Sequence, residues 1–403
     1  ASSIGALVSP HSTLEELYLA GALVRGLGSN NIDYRLRNAE FAAAPGVRWL
    51  GRSIASLSTL QSALVVGSNL RKDHPLFAQR IRQAARKGCV VMSVNAVVWD
   101  WAMPVAQTLV SAPGAWTQAL ADVAAAVAQE KGVQAPVASG QASNEAARAI
   151  AVALLAGEQK AVLLGNAAAH HAQASSLLAL AQWIAEQTGA SVGYLTEAAN
   201  TVGAQWVKAV PGQGGLNAAE MLAGGLKGVI LLNTEPVFDS AAGVKAAEAL
   251  AQAEMVVTLS PFKTNLEFSD VLLPIAPFTE TSGSFVNAEG RLQSFHAVVR
   301  PLGETRPAWK VLRVLANLLD LQGFDFETSQ DVLSKATGAP AGQAQSVPAE
   351  LLDNRTTVVP QAAASGAADP VVASIYQLDG LVRRSTSLQL TADARLAREG
   401  AAA

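Results

Sequence analysis

Three short apolar runs of this chain end alike. LVVGSN at 64–69, VLLGNA at 162–167 and VILLNTEP at 229–236 each pass from an unbroken aliphatic stretch into a glycine or an amide. A run with no polar alternation suits a strand buried on both faces, the condition of a parallel sheet covered by helices. Helical spacing fills the intervals. Leu14, Leu17, Tyr18 and Gly21 fall at i, i+3, i+4 and i+7, behind Ser12 and Thr13 with Glu15 and Glu16 at capping-box distance. His74-Pro75 opens another helix, where proline is tolerated in the first turn, and Arg80, Arg82, Arg86 and Lys87 crowd toward its end, which suits the helix dipole. With strands at Ser3–Val8, Ala63–Val66 and Cys89–Val94, the first part reads β-α-β-α-β. A second series begins at Lys160–Leu164 and continues through Ser191–Leu195, Gly228–Leu232, Met255–Leu259 and Val271–Leu273. The fold class is therefore α/β. Each apolar run is expected to carry its small polar tip to the same edge of a sheet, although glycine and asparagine also make ordinary turns there.

The richest stretch is SDVLLPIAPFTETSGSFVNAEGRLQSFH, residues 269–296. Val271–Pro274 reads as a short buried strand stopped by proline. Ser284–Asn287 and Arg291–Phe295 read as the arms of a hairpin around Ala288-Glu289-Gly290. A glycine-hinged polar loop at the carboxyl end of a parallel strand is where open α/β sheets hold ligands, and a plain surface hairpin is the alternative. Glu280 and Glu289 form no catalytic pair with any nearby histidine and read as solvated turn residues. Ser9, Ser68 and Ser282 lack the glycines of a nucleophile elbow.

Composition narrows the functions further. Charged residues are 15% of the 403, well below the usual quarter, so much surface is expected to be buried in a core or an assembly. The net charge of −3 gives no basic excess for nucleic acid. The single cysteine, Cys89, excludes a disulfide framework and any cysteine-ligated zinc or iron–sulfur centre built from this sequence alone. None of His11, His74, His170, His171 and His296 has HExxH spacing, so no metal ligands are expected. No apolar run approaches the roughly 18 residues of a membrane span. ASSIGALVSPHS, the first residues, lacks initiator methionine and the positive region of a signal peptide, which reads as a piece of a longer chain.

ETSGSFVNAEGRLQ, preceded by SDVLLP, resembles the signature of the molybdopterin oxidoreductase superfamily, and within it the G-subunit family of bacterial NADH:quinone oxidoreductases, the respiratory complex I. The resemblance is colinear. Residues 6–33 are similar to the family's strand, capped helix and GxNNxD turn; 64–88 to its GxNxxxxHP segment; 163–204 to the respiratory subunit in particular; and Asn233-Thr234-Glu235-Pro236 to its Asn-Pro turn. It implies two doubly wound, mostly parallel sheet domains of the formate dehydrogenase/DMSO reductase-like kind flanking a pterin cleft. On that likeness Gly67, Asn69, His74, Asn233, Thr281, Gly283 and Asn287 are vestigial cleft positions. Relatives that work with molybdenum or tungsten place a Cys, selenocysteine or Ser ligand shortly after the NNxD turn; here Tyr34–Glu40 offers none. Relatives that grip the guanine nucleotide carry Asp-Pro-Arg after the third strand; here Asn95-Ala96-Val97 stands there.

The expectation is thus a C-terminal, structural, non-catalytic portion of the G subunit, with no catalytic residues, no molybdopterin and no cofactor of its own. Its iron–sulfur clusters belong to an absent N-terminal part. That part and other complex I peripheral-arm subunits are the expected partners, on the cytoplasmic side of the inner membrane, supporting electron transfer from NADH to quinone coupled to proton translocation. A working molybdopterin-dependent oxidoreductase, or an unrelated α/β nucleotide-binding protein, is the alternative; the latter lacks a GxGxxG after its first strand. The domains are expected at 1–112 and 113–335. A linker and C-terminal arm should fill 336–403, with a mobile connection over Ala336–Pro370, a strand pair or docking arm over Tyr376–Leu390, and a poorly ordered tail. An exposed apolar face that docks the absent part should make the isolated piece sticky or oligomeric.

Overall fold

A computed structural model of the chain describes residues 3–340, 342–343, 345–362 and 374–401. Twelve strands are described: β1 Ile4–Val8, β2 Asn31–Asp33, β3 Ser62–Val66, β4 Val90–Asn95, β5 Gln107–Val110, β6 Lys160–Leu164, β7 Ser191–Tyr194, β8 Gly228–Leu232, β9 Met255–Ser260, β10 Val271–Pro274, β11 Gly283–Val286 and β12 Leu292–Phe295. They form two five-stranded parallel sheets and one hairpin.

The first unit comprises Ala1–Arg37 with Ala198–Leu351, and its sheet runs β10-β9-β8-β1-β2. The second comprises Asn38–Glu197 with Leu352–Ala403, and its sheet runs β5-β4-β3-β6-β7. The contiguous division at 112 and 335 is therefore corrected. Strand pairing decides the matter: β1 lies in register with β8, Ile4 opposite Gly228, so the start of the chain and its later part share one sheet. The apolar runs behave as their composition dictates, with every residue of β3 and of β6 buried.

Each unit is doubly wound. In the first, β1 crosses to β2 on one side, while β8 crosses to β9 and β10 on the other. In the second, β6 crosses to β7, and β3 to β4 and β5. The switch points, where ligands bind in open α/β sheets, are the β8/β1 and β3/β6 junctions. The core of the second unit gathers around Trp116, Leu120, Ile150, Leu177 and Ile184 from the helices Trp116–Lys131, Glu145–Leu155 and Ala174–Thr188. Trp116 donates its indole N–H to Ser111 O at 3.1 Å, so the ring is buried without an orphaned polar atom.

Other expectations are revised. β10 is a half-exposed edge strand, with Val271 at 38% exposure, because only β9 flanks it. Residues 352–361 of the anticipated mobile connection are pinned to the second unit. Asn354 donates to Trp49 O and Val192 O and accepts from Trp49 N–H; Thr356 N–H donates to Gln182 Oε1 and Gln361 N–H to Ser176 Oγ. Asn354, on Val192 O, and the Trp49 carbonyl, which accepts Tyr194 N–H at 2.9 Å, so cover the outer edge of β7, which an exposed strand requires. The anticipated Ala336–Pro370 connection also begins inside the helix Ser329–Thr337. Its last residues, 363–370, lie outside the described ones. Tyr376–Leu390 forms no strand pair but short helices, Ile375–Leu378, Gly380–Arg384 and Thr386–Gln389, followed by Ala392–Ala401.

Candidate functional site

The three recurrent tips do not share one edge. Those after β3 and β6 stand side by side in the second unit, and that after β8 belongs to the first. Within each unit the switch point is built the same way. After β3, Gly67 turns left-handed (φ 63°) and donates its N–H to Val94 O at 2.9 Å. After β8, Asn233 does the same (φ 52°) toward Leu259 O at 2.9 Å. The next residue is a hydroxyl in both. Ser68 Oγ donates to Asp73 Oδ2 (3.3 Å) and Thr234 Oγ1 to Asp239 Oδ2 (3.3 Å). The same carboxylates accept the N–H of Asn69 (2.9 Å) and of Glu235 (2.7 Å). A buried amide completes each latch: Asn95 Nδ2 donates to Ser68 O (3.2 Å), and Asn265 Nδ2 to Thr234 O (3.0 Å). Even the neighbouring strands agree, since Gly165 N–H donates to Val66 O and Ser9 N–H to Leu232 O.

Sequence reasoning misses these latches, yet a signal exists: Ser68 and Thr234 each precede an aspartate by five residues, just past an apolar run. They also change the meaning of two expected positions. Asn69 sits at the start of the short helix Leu70–Asp73 with its N–H held by Asp73. Burial pushes His74 down to about 4, with Asn166 beside it favouring the charged ring. Neither His74 Nε2 nor Asn166 Oδ1 makes a hydrogen bond of full geometry. Burial pushes Asp73 up to about 6, opposed by the Asn69 and Ser68 donors.

In the first unit the hairpin β11–β12 packs on the helix Leu14–Gly26. Thr13 and Glu16 form the anticipated capping box, Thr13 N–H to Glu16 Oε2 at 2.9 Å and Glu16 N–H to Thr13 Oγ1 at 3.3 Å. Glu15 accepts both the N–H and the hydroxyl of Ser284, at 2.9 and 2.8 Å. Burial pushes Glu15 and Glu16 each up to about 7. Gly283 is a close approach: a Cβ there would lie 2.5 Å from Thr13 Cγ2. Asn233 Nδ2 reaches Ser12 Oγ at 3.0 Å, so Asn233 and Gly283 meet at one turn. Thr281, two residues before Gly283, is buried and donates to Ser282 O. Asn287 is not with them. It sits at the other end of the hairpin, accepting from Glu289 N–H and Arg291 N–H to close the turn.

The donor set does not suit a pterin-held metal. After the NNxD turn, Tyr34 and Leu36 are buried, Arg35 pairs with Asp33 at 2.9 Å, and buried Arg37 donates to Phe238 O and Ser240 O, both at 3.2 Å. None of these is a thiolate, selenolate or alkoxide. Where a nucleotide-gripping carboxylate is implied, Asn95 is 3% exposed and also accepts Ser68 N–H at 3.0 Å, so both ends of its amide are engaged by the fold. Glu40, the last residue of that stretch, accepts Ser175 N–H at 2.8 Å at the start of the helix Ala174–Thr188. Among the described residues no group of three or more His, Cys, Asp or Glu is placed to hold a metal ion, and no helix is long and apolar enough to cross a membrane.

Sequence comparison agrees with this architecture. The family described as Molybdopterin oxidoreductase matches residues 1–318. The G subunit of the NADH-quinone oxidoreductase of Streptomyces coelicolor is 28% identical, over 79% of this chain and 42% of that protein. A nitrate reductase of Shewanella frigidimarina is 28% identical over 36% of this chain and 16% of its own length. The chain thus spans less than half the length of these curated relatives. Among solved structures, a chain of the formyltransferase/hydrolase complex from Methylorubrum extorquens superposes with a TM-score of 0.56 at 15% identity, over 79% of this chain and 91% of that one, a likeness of fold alone.

Proposed function

Because the chain belongs to the molybdopterin oxidoreductase family, we propose that it is a structural, non-catalytic portion of a polypeptide like the G subunit of an NADH:quinone oxidoreductase. In that role it braces an iron–sulfur part of the same polypeptide and other components of the peripheral arm, on the cytoplasmic face of the membrane. Activity, electron transfer from NADH to quinone coupled to proton translocation, belongs to the whole complex. The vestigial cleft positions Gly67, Asn69, His74, Asn233, Thr281, Gly283 and Asn287 serve packing in this reading. The similarity to the Streptomyces coelicolor protein along most of the chain supports it. The observation that carries it is the use of Arg37 and Asn95: the side chains at the two cofactor-holding places hydrogen-bond the protein's own backbone.

The test is elemental analysis of the purified protein by mass spectrometry, together with pterin fluorescence after acid oxidation, from cells supplied with molybdate and tungstate. The expected result is metal and pterin far below one per chain. Stoichiometric molybdenum or tungsten with pterin would overturn the reading in favour of a working oxidoreductase.

A further inference from the structure

We propose that the C-terminal arm, residues 374–401, is a releasable strap on the second unit. Tethered by an ion pair to the helix that follows β3, it opens without disturbing the sheet beneath and bares Lys72 beside Asn69 and His74.

Two stretches of the same C-terminal segment are held very differently. Residues 352–361 are fastened to the unit by backbone and amide hydrogen bonds, including Arg48 to Asp353 O and Arg355 O at 3.2 and 2.8 Å. The arm is held otherwise. Among its described side chains only Ala394 is buried, while Leu381, Leu388, Leu390 and Leu396 are 41–66% exposed. Many of its hydrogen bonds are internal: Asp379 caps Leu381 and Val382, Gln389 reaches Tyr376 O and Val382 O, and Arg384 reaches Gly380 O. The arm is therefore a set of short helices packed one on the next, its described side chains half-buried or exposed apart from Ala394. Elements of that kind open at low free energy.

The tether is Lys72 to Asp393, with Tyr376 of the arm also on Lys72. Lys72 and Asp393 are 29% and 51% exposed, so their pairing is screened and weak, and its strength falls with salt. Lys72 belongs to the helix Leu70–Asp73, whose ends are Asn69 and His74, so the arm is fastened next to the β3 latch. Release frees an ammonium group at that turn and leaves the latch intact, since Asp73, Ser68, Asn95 and Asn69 hold one another without any residue of the arm.

Hydrogen exchange read by mass spectrometry on the full chain tests this. Amides of 375–396 are expected to exchange much faster than those of Ala174–Thr188, and faster still at high salt. Lys72→Ala and Asp393→Asn should each speed arm exchange by about two- to five-fold, the range a partly exposed pair supports. The exchanged pair, Lys72→Asp with Asp393→Lys, should restore the original rate, and β3 and β6 should be unaffected in every variant. Arm amides protected as strongly as Ala174–Thr188 would overturn the strap. So would single variants that leave arm exchange unchanged, or an exchanged pair no better than either single variant, because the tether would then lie elsewhere.

Discussion

The two switch points share one hydrogen-bonding scheme and solve its steric problem with opposite residues. Each strand tip needs a left-handed residue, then a hydroxyl, then an aspartate five positions further on, with an amide closing the loop. In the second unit the left-handed residue is Gly67; in the first it is Asn233. The neighbourhood dictates the difference. A Cβ on Gly67 would meet Ala168 N at 2.7 Å and the Trp116 ring at 2.8 Å, because the β6 tip and the Trp116–Lys131 helix crowd the turn. Asn233 instead faces Ser12 and donates to it. The backbone demands only a residue tolerant of positive φ, which asparagine and glycine both are. Packing chooses between them.

The sharpest way to break this comparison is to transplant the side chain. Gly67→Asn places a branched group in space already filled. Overpacking of this kind costs about 1–3 kcal/mol, and more where the neighbour is backbone that cannot rotate away. Urea unfolding followed with the Trp116 environment, or exchange of β3 and β6 amides, should show the loss in the second unit alone. Unchanged stability would mean that the Trp116 contact yields and that packing does not explain the glycine.

The units should also respond differently to pH. Asp73 in the second unit has its acid form favoured by burial, with its value raised from 3.8 to about 6. Glu15 and Glu16 in the first are raised from 4.5 to about 7. For a raised carboxyl, the native state binds the proton more tightly than the unfolded chain. The contribution is full below the unfolded value and is lost as pH rises through the folded one. The first unit should therefore weaken between about pH 4.5 and 7, each group adding a slope of at most about 1.4 kcal/mol per pH unit, whereas in the second His74, lowered from 6.5 to about 4, gains stability over nearly the window in which Asp73 loses it, so the two slopes oppose and the net change is small. Glu15→Gln should remove the Glu15 share of the first unit's slope and leave that of Glu16, while His74→Gln should unmask the Asp73 loss in the second. Denaturation series at several pH values read both, and a first unit whose stability climbs from about pH 4.5 to 7 would reverse the sign.

The latching amides differ in how much they carry. Asn95 serves both the N–H and the carbonyl of Ser68, whereas Asn265 is seen to serve the carbonyl of Thr234. Asn95→Ala leaves two buried backbone groups without partners and should cost about 2–3 kcal/mol; because Asn265 is left-handed (φ 58°), its amide is best removed by Asn265→Gly, which should cost about 1 kcal/mol. Equal losses in urea titrations would show that the two latches are energetically alike despite their different amides.

Much of this architecture is legible from residue order. Continuous apolar runs require a parallel sheet, and Thr13-Leu14-Glu15-Glu16 specifies a helix start that the structure reproduces as a capping box. The hairpin arms and their Gly290 turn follow from alternation and glycine. What escapes is long-range. Nothing near Ile4 says that its strand, besides pairing with nearby β2, also pairs with β8 more than two hundred residues on, so interleaved units read as contiguous ones. The latches escape for a similar reason. The hydroxyl–aspartate spacing is local, but the amide that closes each one arrives from another strand or loop, at Asn95 and Asn265. The anchoring of 352–361 by Asn354 depends on Trp49 and Val192, both more than 150 residues away. Composition reports that such a segment cannot build a core, not that an existing one will hold it.

The mildest change is the most informative about what the asparagine contributes. Asn233→Gly keeps the left-handed backbone available and removes only the side chain that reaches Ser12. A single neutral hydrogen bond is worth about 1 kcal/mol, and glycine adds some freedom to the unfolded chain. The Asn233 N–H to Leu259 O bond, the Asp239 latch and the Asn265 amide all remain. The expected loss is about 1 kcal/mol, confined to the first unit, against the larger penalty of Gly67→Asn in the second. Should Asn233→Gly prove as damaging as Gly67→Asn, the two tips would differ in more than packing, and Ser12 would have to be an organising contact of the β8/β1 junction rather than an accessory to it.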